Sequence, residues 1–156
     1  MNNLRKAKIK DARAIHVLIN SFAKKDLMMP RSLNEIYEHI RDFWIILNQK
    51  DRLIGCAALH VVGWNDLAEL KSLAVEKKYQ KHGYGAFLVR ACLEEAQELD
   101  IRQCFALSYQ PEFFKKLGFR VTAKKHLPHK VWAECCLCPK FPDCGETALI
   151  KNLKSS

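Results

Sequence analysis

The sequence predicts an α/β (α+β) domain, with helices flanking a mixed, mostly antiparallel central sheet. Strand-like apolar runs are interspersed with segments whose apolar residues recur every three or four positions, as in amphipathic helices. One such strand, residues 67–75, leads through a turn with two glycines into a helix over 86–99. The apolar run at 103–108 follows that helix and is expected to pair in parallel with the strand before it.

Two helix starts can be recognised in the first third of the chain, after an opening strand at 5–10. Asp11 is predicted to cap a helix whose buried face carries apolar residues at helical spacing. Ser32 and Glu35 match a capping box, which predicts a second helix continuing to Phe43. The remaining predicted elements are strands at 44–47, 53–62, 119–122 and 147–153, and a short helix at 111–117 stopped by Gly118.

The turn before the helix at 86–99 is the most informative local motif. It consists of Gln80, Lys81, His82, Gly83, Tyr84 and Gly85. A glycine-containing turn at a helix start points backbone N–H groups and the positive helix end at one place, which suits a phosphate group. The spacing does not match a dinucleotide fingerprint, and the G-K-[ST] of a nucleotide-triphosphate loop is absent from the sequence.

Length, composition and charge limit the possible functions. With 156 residues, 49% of them apolar, we expect a single domain over 1–156, with a cysteine-rich insertion at 124–146. Neither an apolar run of about 18 residues nor a secretory leader is present, so a cytoplasmic protein is expected. A net charge of +9 favours an anionic ligand. Nucleic acid is the less favoured ligand, because the basic residues are scattered rather than interleaved with aromatic ones.

The cysteine-rich insertion leaves two interpretations open. Four residues there have donor types and spacing that could hold a structural zinc ion: His129, Cys135, Cys138 and Cys144. However, only one C-x-x-C pair is present, and Cys136 lies inside it. The alternative is a set of buried or redox-active thiols in a reducing compartment.

The strand, the Q-x-x-G-x-G turn and the amphipathic helix together resemble the acetyl-CoA-binding core of the GNAT N-acetyltransferases. The resemblance implies a sheet splayed at its parallel strand pair, with acetyl-CoA as co-substrate. It also implies that the backbone of Leu73, Ala74 and Val75 faces the thioester carbonyl. Many members carry a tyrosine acid where this chain has Phe114, so Phe114 is expected to contact the cofactor without donating a proton. The hydroxyl groups that remain nearby, as hydrogen-bond donors for the departing CoA thiolate, are then those of Ser108 and Tyr109.

A narrower resemblance concerns the acceptor. MPRSLNEIYEHIRDF, AELKSLAV, FALSYQPEFFKKLGF and LPHKVWAECCLCPKFPDC are similar to segments of the short, single-domain N-acetylglutamate synthases. These enzymes acetylate the α-amine of L-glutamate in the first step of arginine synthesis. The resemblance implies that Glu69 is the base, that Ser108 lies near the sulfur and that Arg31 holds a substrate carboxylate.

Lys71 is a further candidate for substrate binding, because strand periodicity places it on the same face as Glu69. It could pair with a second substrate carboxylate or with Glu69 itself. Ordinary structural roles stay open for each of these residues, such as a solvated arginine, a cross-strand ion pair or a strand terminator. So do other functions: acetylation of another small amine or a protein N-terminus, or a non-catalytic module that binds CoA or nucleic acid. Whether the chain forms a homodimer also stays open.

Overall fold

A computed structural model describes residues 3–63, 66–123, 127 and 146–153. The strands are β1 (Asn3–Lys6), β2 (Phe43–Leu47), β3 (Leu53–Gly63), β4 (Leu67–Val75), β5 (Gln103–Ser108), β6 (Arg120–Thr122) and β7 (Thr147–Asn152). The helices are α1 (Ala12–Ala23), α2 (Leu33–Glu38), α3 (Tyr84–Glu98) and α4 (Pro111–Lys116). Short 3-10 turns occur at Ile9–Asp11, Ile40–Asp42 and Lys77–Tyr79.

The described strands form one sheet in the order β1-β2-β3-β4-β5-β7-β6. All neighbours are antiparallel except β4 and β5, as predicted. The parallel ladder begins at Leu67 and Gln103 and ends at Glu69 and Phe105. Beyond that step β4 stays paired with β3, and β5 stays paired with β7 up to Ser108, so the parallel strands diverge. The predicted fold class, including the splayed parallel pair, is confirmed.

Each face of the sheet carries its own apolar core. Helix α3 packs against one face through Leu88, Val89, Cys92 and Ala96. Helices α1 and α2 cover part of the other face, where Ile15, Ile19 and Ile36 are buried. Among the described residues, no helix has both the length and the apolar composition that crossing a bilayer requires.

Two predictions in the first third of the chain are wrong. The opening strand ends at Lys6, and the Asp11 side chain does not cap α1. Instead the Asp11 carboxylate accepts hydrogen bonds from the Lys8 backbone N–H at 2.7 Å and from the Arg5 guanidinium at 2.9 Å. Burial opposes ionisation of this carboxyl, but the hydrogen bonds and the neighbouring positive charges outweigh it and lower the pKa of Asp11. Asp11 therefore binds residues three and six positions before it in the chain instead of capping the helix that follows it.

The second helix is also shorter than predicted. The capping box is present: Ser32 Oγ accepts from the Glu35 N–H at 3.1 Å, and Glu35 Oε1 accepts from the Ser32 N–H at 3.3 Å. However, α2 ends at Glu38, and Phe43 begins β2. Phe43 is 4% exposed and pairs with Ala58 of β3, so sheet pairing and burial override the helical spacing.

Candidate functional site

Two polar regions lie along strand β4 and the segment that follows it. The first, the glycine turn (residues 80–85), connects β4 to α3. The second, the polar cleft, is a depression open to solvent; the space in and directly above it amounts to about 370 Å³. It is lined by Arg31, Glu35, Ile36, His39, Asp42, Phe43, Ala58, His60, Lys71 and Ser72.

The glycine turn leaves room directly in front of α3. Gly83 precedes the helix with φ of 87° and ψ of 0°, a left-handed conformation that glycine adopts without strain. A Cβ atom placed on Gly83 would have no heavy atom within 4 Å, so the space beside this residue is open. The first N–H groups of a helix lack acceptors within it and carry the positive end of the helix dipole. This arrangement fits the predicted phosphate site.

Side chains of the turn are used to hold its shape. Gln80 Nε2 donates to the Val75 carbonyl at 2.9 Å and so ties the turn to the end of β4. His82 Nδ1 lies 2.7 Å from the Gln80 carbonyl oxygen, and the His82 ring stacks with that of Tyr84. Lys81 has φ of 65°, a second left-handed residue in the turn. The side chains thus fix the shape of the backbone in this turn.

Gly85 has a packing role in addition to the predicted one. A Cβ atom at Gly85 would lie 3.3 Å from the ring of Phe113, so the missing side chain lets α4 approach the start of α3. The neighbouring Phe114 is 4% exposed, and its ring contacts those of Phe113 and Phe119 edge to face. Phe114 therefore belongs to the apolar core on the α3 side, and its contact with a cofactor stays a prediction.

The gap between the diverging strands is bordered by the other predicted cofactor residues. Ala74 and Val75 pair with Cys56 and Gly55 of β3, and their opposite edge faces away from β3 towards the gap. Leu73 lies beside them and is partly buried. On the facing strand, the Ser108 hydroxyl accepts a hydrogen bond from the Gln110 N–H at 2.9 Å. Tyr109, which is half-buried, follows directly.

Arg31 enters the polar cleft from the start of α2. Its carbonyl accepts a hydrogen bond from Asn20 Nδ2 of α1 at 2.9 Å, which fixes the chain just before the capping box. The Arg31 side chain is only 14% exposed, and its Nη1 lies 3.7 Å from Glu35 Oε2. A guanidinium held in this way can bind a carboxylate through two hydrogen bonds.

Glu69 and Lys71 lie on one face of β4, as strand periodicity predicted. Lys71 Nζ is 4.0 Å from Glu69 Oε1, and the two side chains are 20% and 11% exposed. Glu69 and Phe105 form the last pair of the parallel ladder. On the other side of β4, Glu69 pairs with His60 of β3. A carboxylate therefore lies where the gap between β4 and β5 opens, on a face shared with the cleft.

The regular alternation of β4 ends after Lys71. Ser72 has φ of 55°, and the register with β3 shifts between Cys56 and Ala58. This β-bulge lets consecutive residues, Lys71 and Ser72, both line the cleft. No signal in the sequence indicated the bulge.

Several lining residues of the cleft were not identified from the sequence. Glu35 was recognised only as a helix cap, although its carboxylate also faces Arg31. His60 had a usable signal, because strand periodicity places it on the same face as Cys56 and Ala58. His39 and Asp42 gave none, since their segment was predicted to be helical. The proposed zinc ligands His129, Cys135, Cys138 and Cys144 lie outside the described residues.

Comparison with known proteins identifies relatives along the whole chain. Residues 39–121 match the model of the acetyltransferase (GNAT) domain. An uncharacterised N-acetyltransferase of Chlorobaculum tepidum is 35% identical over 96% of both chains. An amino-acid acetyltransferase of Mycobacterium tuberculosis is 31% identical over 85% of this chain and 76% of its own.

Among solved structures, an N-acetylglutamate synthase from Neisseria gonorrhoeae in complex with coenzyme A and N-acetyl-glutamate superposes with a TM-score of 0.87. It is 27% identical and covers 99% of this chain, whereas this chain covers 35% of it. A Mycobacterium tuberculosis protein in complex with CoA superposes with a TM-score of 0.83 at 28% identity, over 97% of this chain and 99% of its own.

Proposed function

The chain belongs to the GNAT acetyltransferase family, and we propose that it transfers the acetyl group of acetyl-CoA to the α-amine of L-glutamate, the first step of arginine synthesis. That it is an acetyl-CoA-dependent N-acetyltransferase follows from the family; the acceptor is the proposal. The observation that carries it is the position of Glu69, at the opening of the strand gap and on the same face as a cleft with two cationic side chains.

The cofactor half of the proposal uses the glycine turn and the strand gap. The N–H groups at the start of α3, around Tyr84, would bind the diphosphate, because the first N–H groups of a helix lack acceptors within it and the space beside Gly83 is open. The gap between β4 and β5 would admit the thioester arm. Backbone N–H groups of Leu73, Ala74 or Val75 would then donate to the thioester carbonyl and stabilise the charge that develops on its oxygen.

The acceptor half uses the polar cleft. A glutamate substrate carries two carboxylates, and the cleft offers the cations Arg31 and Lys71. Glu69 would remove a proton from the α-ammonium, so that the neutral nitrogen attacks the thioester carbonyl carbon. As the C–N bond forms, the C–S bond breaks and the thiolate leaves; the second proton that the nitrogen loses then passes to this thiolate, which gives the free thiol of CoA. The Ser108 hydroxyl, with Tyr109 as the alternative, would donate a hydrogen bond to that thiolate.

Two further features of the proposal concern the whole chain. We place residues 1–156 in a single acetyltransferase domain, with 124–146 as an insertion between β6 and β7. The gonococcal synthase supports glutamate as the acceptor, because its structure holds N-acetyl-glutamate and is similar over nearly the full length of this chain. This chain spans 35% of the length of that protein.

A thiol-release assay with acetyl-CoA against all common amino acids tests the acceptor. Glutamate is expected to give the highest kcat/KM, and mass spectrometry should identify N-acetylglutamate as the product. Peptides with free N-termini and a reaction without amine serve as controls. A clear preference for another amine would overturn the glutamate assignment. Binding of acetyl-CoA without turnover of any amine tested would overturn the proposed catalysis.

A further inference from the structure

Three side chains at one end of the polar cleft have the composition of a metal-binding site. His60 Nδ1 lies 2.8 Å from Asp42 Oδ2, and His39 Nδ1 lies 3.7 Å from the same oxygen. The two imidazole rings are nearly perpendicular, with centroids 5.2 Å apart. Each residue offers a ligand atom within 4.8 Å of the other two. Imidazole nitrogen and carboxylate oxygen are ligands that zinc and nickel accept.

The backbone holds these three residues in place. His39 and Asp42 bracket a single 3-10 turn, in which the Asp42 N–H donates to the His39 carbonyl at 2.9 Å. Residues three apart in such a turn project to the same side. His60 comes from β3, whose Ala58 pairs with Phe43, the residue after Asp42. An ion would therefore find its ligands close together before it binds.

We propose that His39, Asp42 and His60 form a binding site for a divalent transition-metal ion, with zinc or nickel as the matching class. Three protein ligands leave at least one coordination position open, as in metal sites that exchange a water or substrate. The 2.8 Å contact between His60 and Asp42 is a hydrogen bond in the metal-free protein. Metal binding replaces it with two coordinate bonds and requires a neutral imidazole.

The site's position predicts its effect on the reaction. All three ligands line the cleft that also contains Lys71, and His60 pairs across β3 and β4 with Glu69. An ion bound there places positive charge beside the carboxylate assigned as the base and occupies part of the acceptor cleft. Metal binding should therefore oppose acceptor binding and leave the glycine turn unaffected. This effect on catalysis rests on the proposed function; metal binding itself does not.

The experiment measures nickel binding in a chain that lacks the four cysteines of the insertion and keeps only the three buried ones, Cys56, Cys92 and Cys104. The background is the untagged full-length protein with Cys135, Cys136, Cys138 and Cys144 replaced by Ser, stripped of metal before use. Equilibrium dialysis with Ni²⁺ is expected to show one equivalent bound at micromolar concentrations. His39→Ala, Asp42→Asn and His60→Ala should each weaken binding by roughly tenfold or more. His16→Ala, a histidine on α1 outside the cluster, is the matched control and should bind like the background.

Two controls keep the result interpretable. The thermal midpoint and acetyl-CoA affinity of each variant show that it is folded, with His60→Gln in place of His60→Ala if needed. If the four-serine chain does not fold, Co²⁺ added to the unaltered chain separates the sites, because thiolate ligands give strong charge-transfer absorption and imidazole and carboxylate ligands do not. The weak visible absorption bands of Co²⁺ bound to imidazole and carboxylate ligands should then disappear in His60→Gln.

The outcomes separate the metal site from the enzyme's acceptor. Loss of nickel binding in the three cluster variants supports the metal site. A KM for glutamate that Ni²⁺ raises in the background chain but not in those variants, with the KM for acetyl-CoA unchanged, supports its effect on acceptor binding. Absence of binding, or binding unchanged in His39→Ala and His60→Ala, would overturn the metal site and leave the cluster as a hydrogen-bond network. Nickel binding at this cluster in a chain that does not acetylate glutamate would support the metal site and contradict the proposed acceptor.

Discussion

The glycine turn and the polar cleft are built in opposite ways, although both adjoin β4. The glycine turn consists of consecutive residues, and the groups we expect to bind a ligand are backbone N–H groups positioned by Gly83 and the start of α3. The cleft brings together side chains from α2, a 3-10 turn, β3 and β4. The turn therefore depends on side chains only for the shape of its backbone, whereas the cleft depends directly on the chemistry of each side chain that lines it.

From this difference we expect the two regions to bind different substrates. Backbone N–H groups can bind the phosphates of the cofactor, and this cofactor is common to all reactions of an acetyltransferase family. Side chains can distinguish between acceptors, because the wrong acceptor leaves charged or hydrogen-bonding groups of the site unpaired and therefore binds more weakly. Changes in the cleft should therefore alter kcat or the KM for the acceptor, and changes in the turn the KM for acetyl-CoA.

The largest effect is expected for Glu69→Gln, which keeps the shape of the side chain and removes the proposed base. We expect kcat at neutral pH to fall by roughly 10²-fold or more, the usual range for loss of a general base. The KM for acetyl-CoA should stay unchanged. Glu98→Gln, at the exposed end of α3, is the control. A pH–rate profile identical to that of the parent would remove Glu69 from the mechanism.

Arg31→Ala tests the cleft as the carboxylate site. The KM for glutamate should rise roughly tenfold or more, because a hydrogen bond to a charged group contributes about 1.5–3 kcal/mol. Arg31→Lys should fall between Ala and the parent, since lysine retains the charge but not the two-pronged geometry. Arg13→Ala, an exposed arginine on α1, should have no effect. Parent-like kinetics with glutamate would show that Arg31 does not bind the substrate.

Gly83→Val tests the backbone conformation of the glycine turn. A β-branched residue at φ of 87° is strained by about 1–3 kcal/mol, although the space around it is open. We expect the KM for acetyl-CoA to rise several-fold and the KM for glutamate to stay constant. Gly83→Asn is the matched variant, because asparagine tolerates this conformation better, and its effect should be smaller. Equal effects of Val and Asn would indicate that bulk, not conformation, matters.

The smallest expected effect is on the stability of the protein at alkaline pH, and it concerns two buried cysteines. Burial raises the pKa of Cys56, behind the cleft, and of Cys104, on β5, to about 12 each. In the unfolded chain these thiols ionise near pH 8.5, about their ordinary pKa. As the pH rises above that value the unfolded state loses protons first, so the free energy of unfolding should decrease between pH 8.5 and 12.

Urea unfolding at pH 7.5 and at pH 10 measures this decrease. Cys56→Ala and Cys104→Ala should each reduce the difference between the two pH values, because each removes one thiol that ionises only on unfolding. An unchanged difference in both variants would mean that other groups cause the loss of stability at alkaline pH.

The sequence was most informative where structure is local. The bounds of β4 and β5, the capping box at Ser32, the turn at Gly83 and the stop at Gly118 were all recognisable, since each depends on neighbouring residues. The errors occurred where another contact replaced the one that a helix signal favours. Asp11 pairs with Arg5, six residues before it, instead of capping α1. Phe43 pairs with Ala58 of a distant strand and joins the sheet instead of extending α2.

Sequence alone determined the order of the elements, the parallel strand pair and the glycine turn at the start of α3. These follow from periodicity and from the few residues that can adopt a given turn. Tertiary structure alone decided that His39, Asp42 and His60 meet, that Ser72 bulges β4, and that Arg31 and Lys71 line one cleft. The physical reason is that sheet register and helix packing, fixed by burial of both cores, set distances between side chains far apart along the chain.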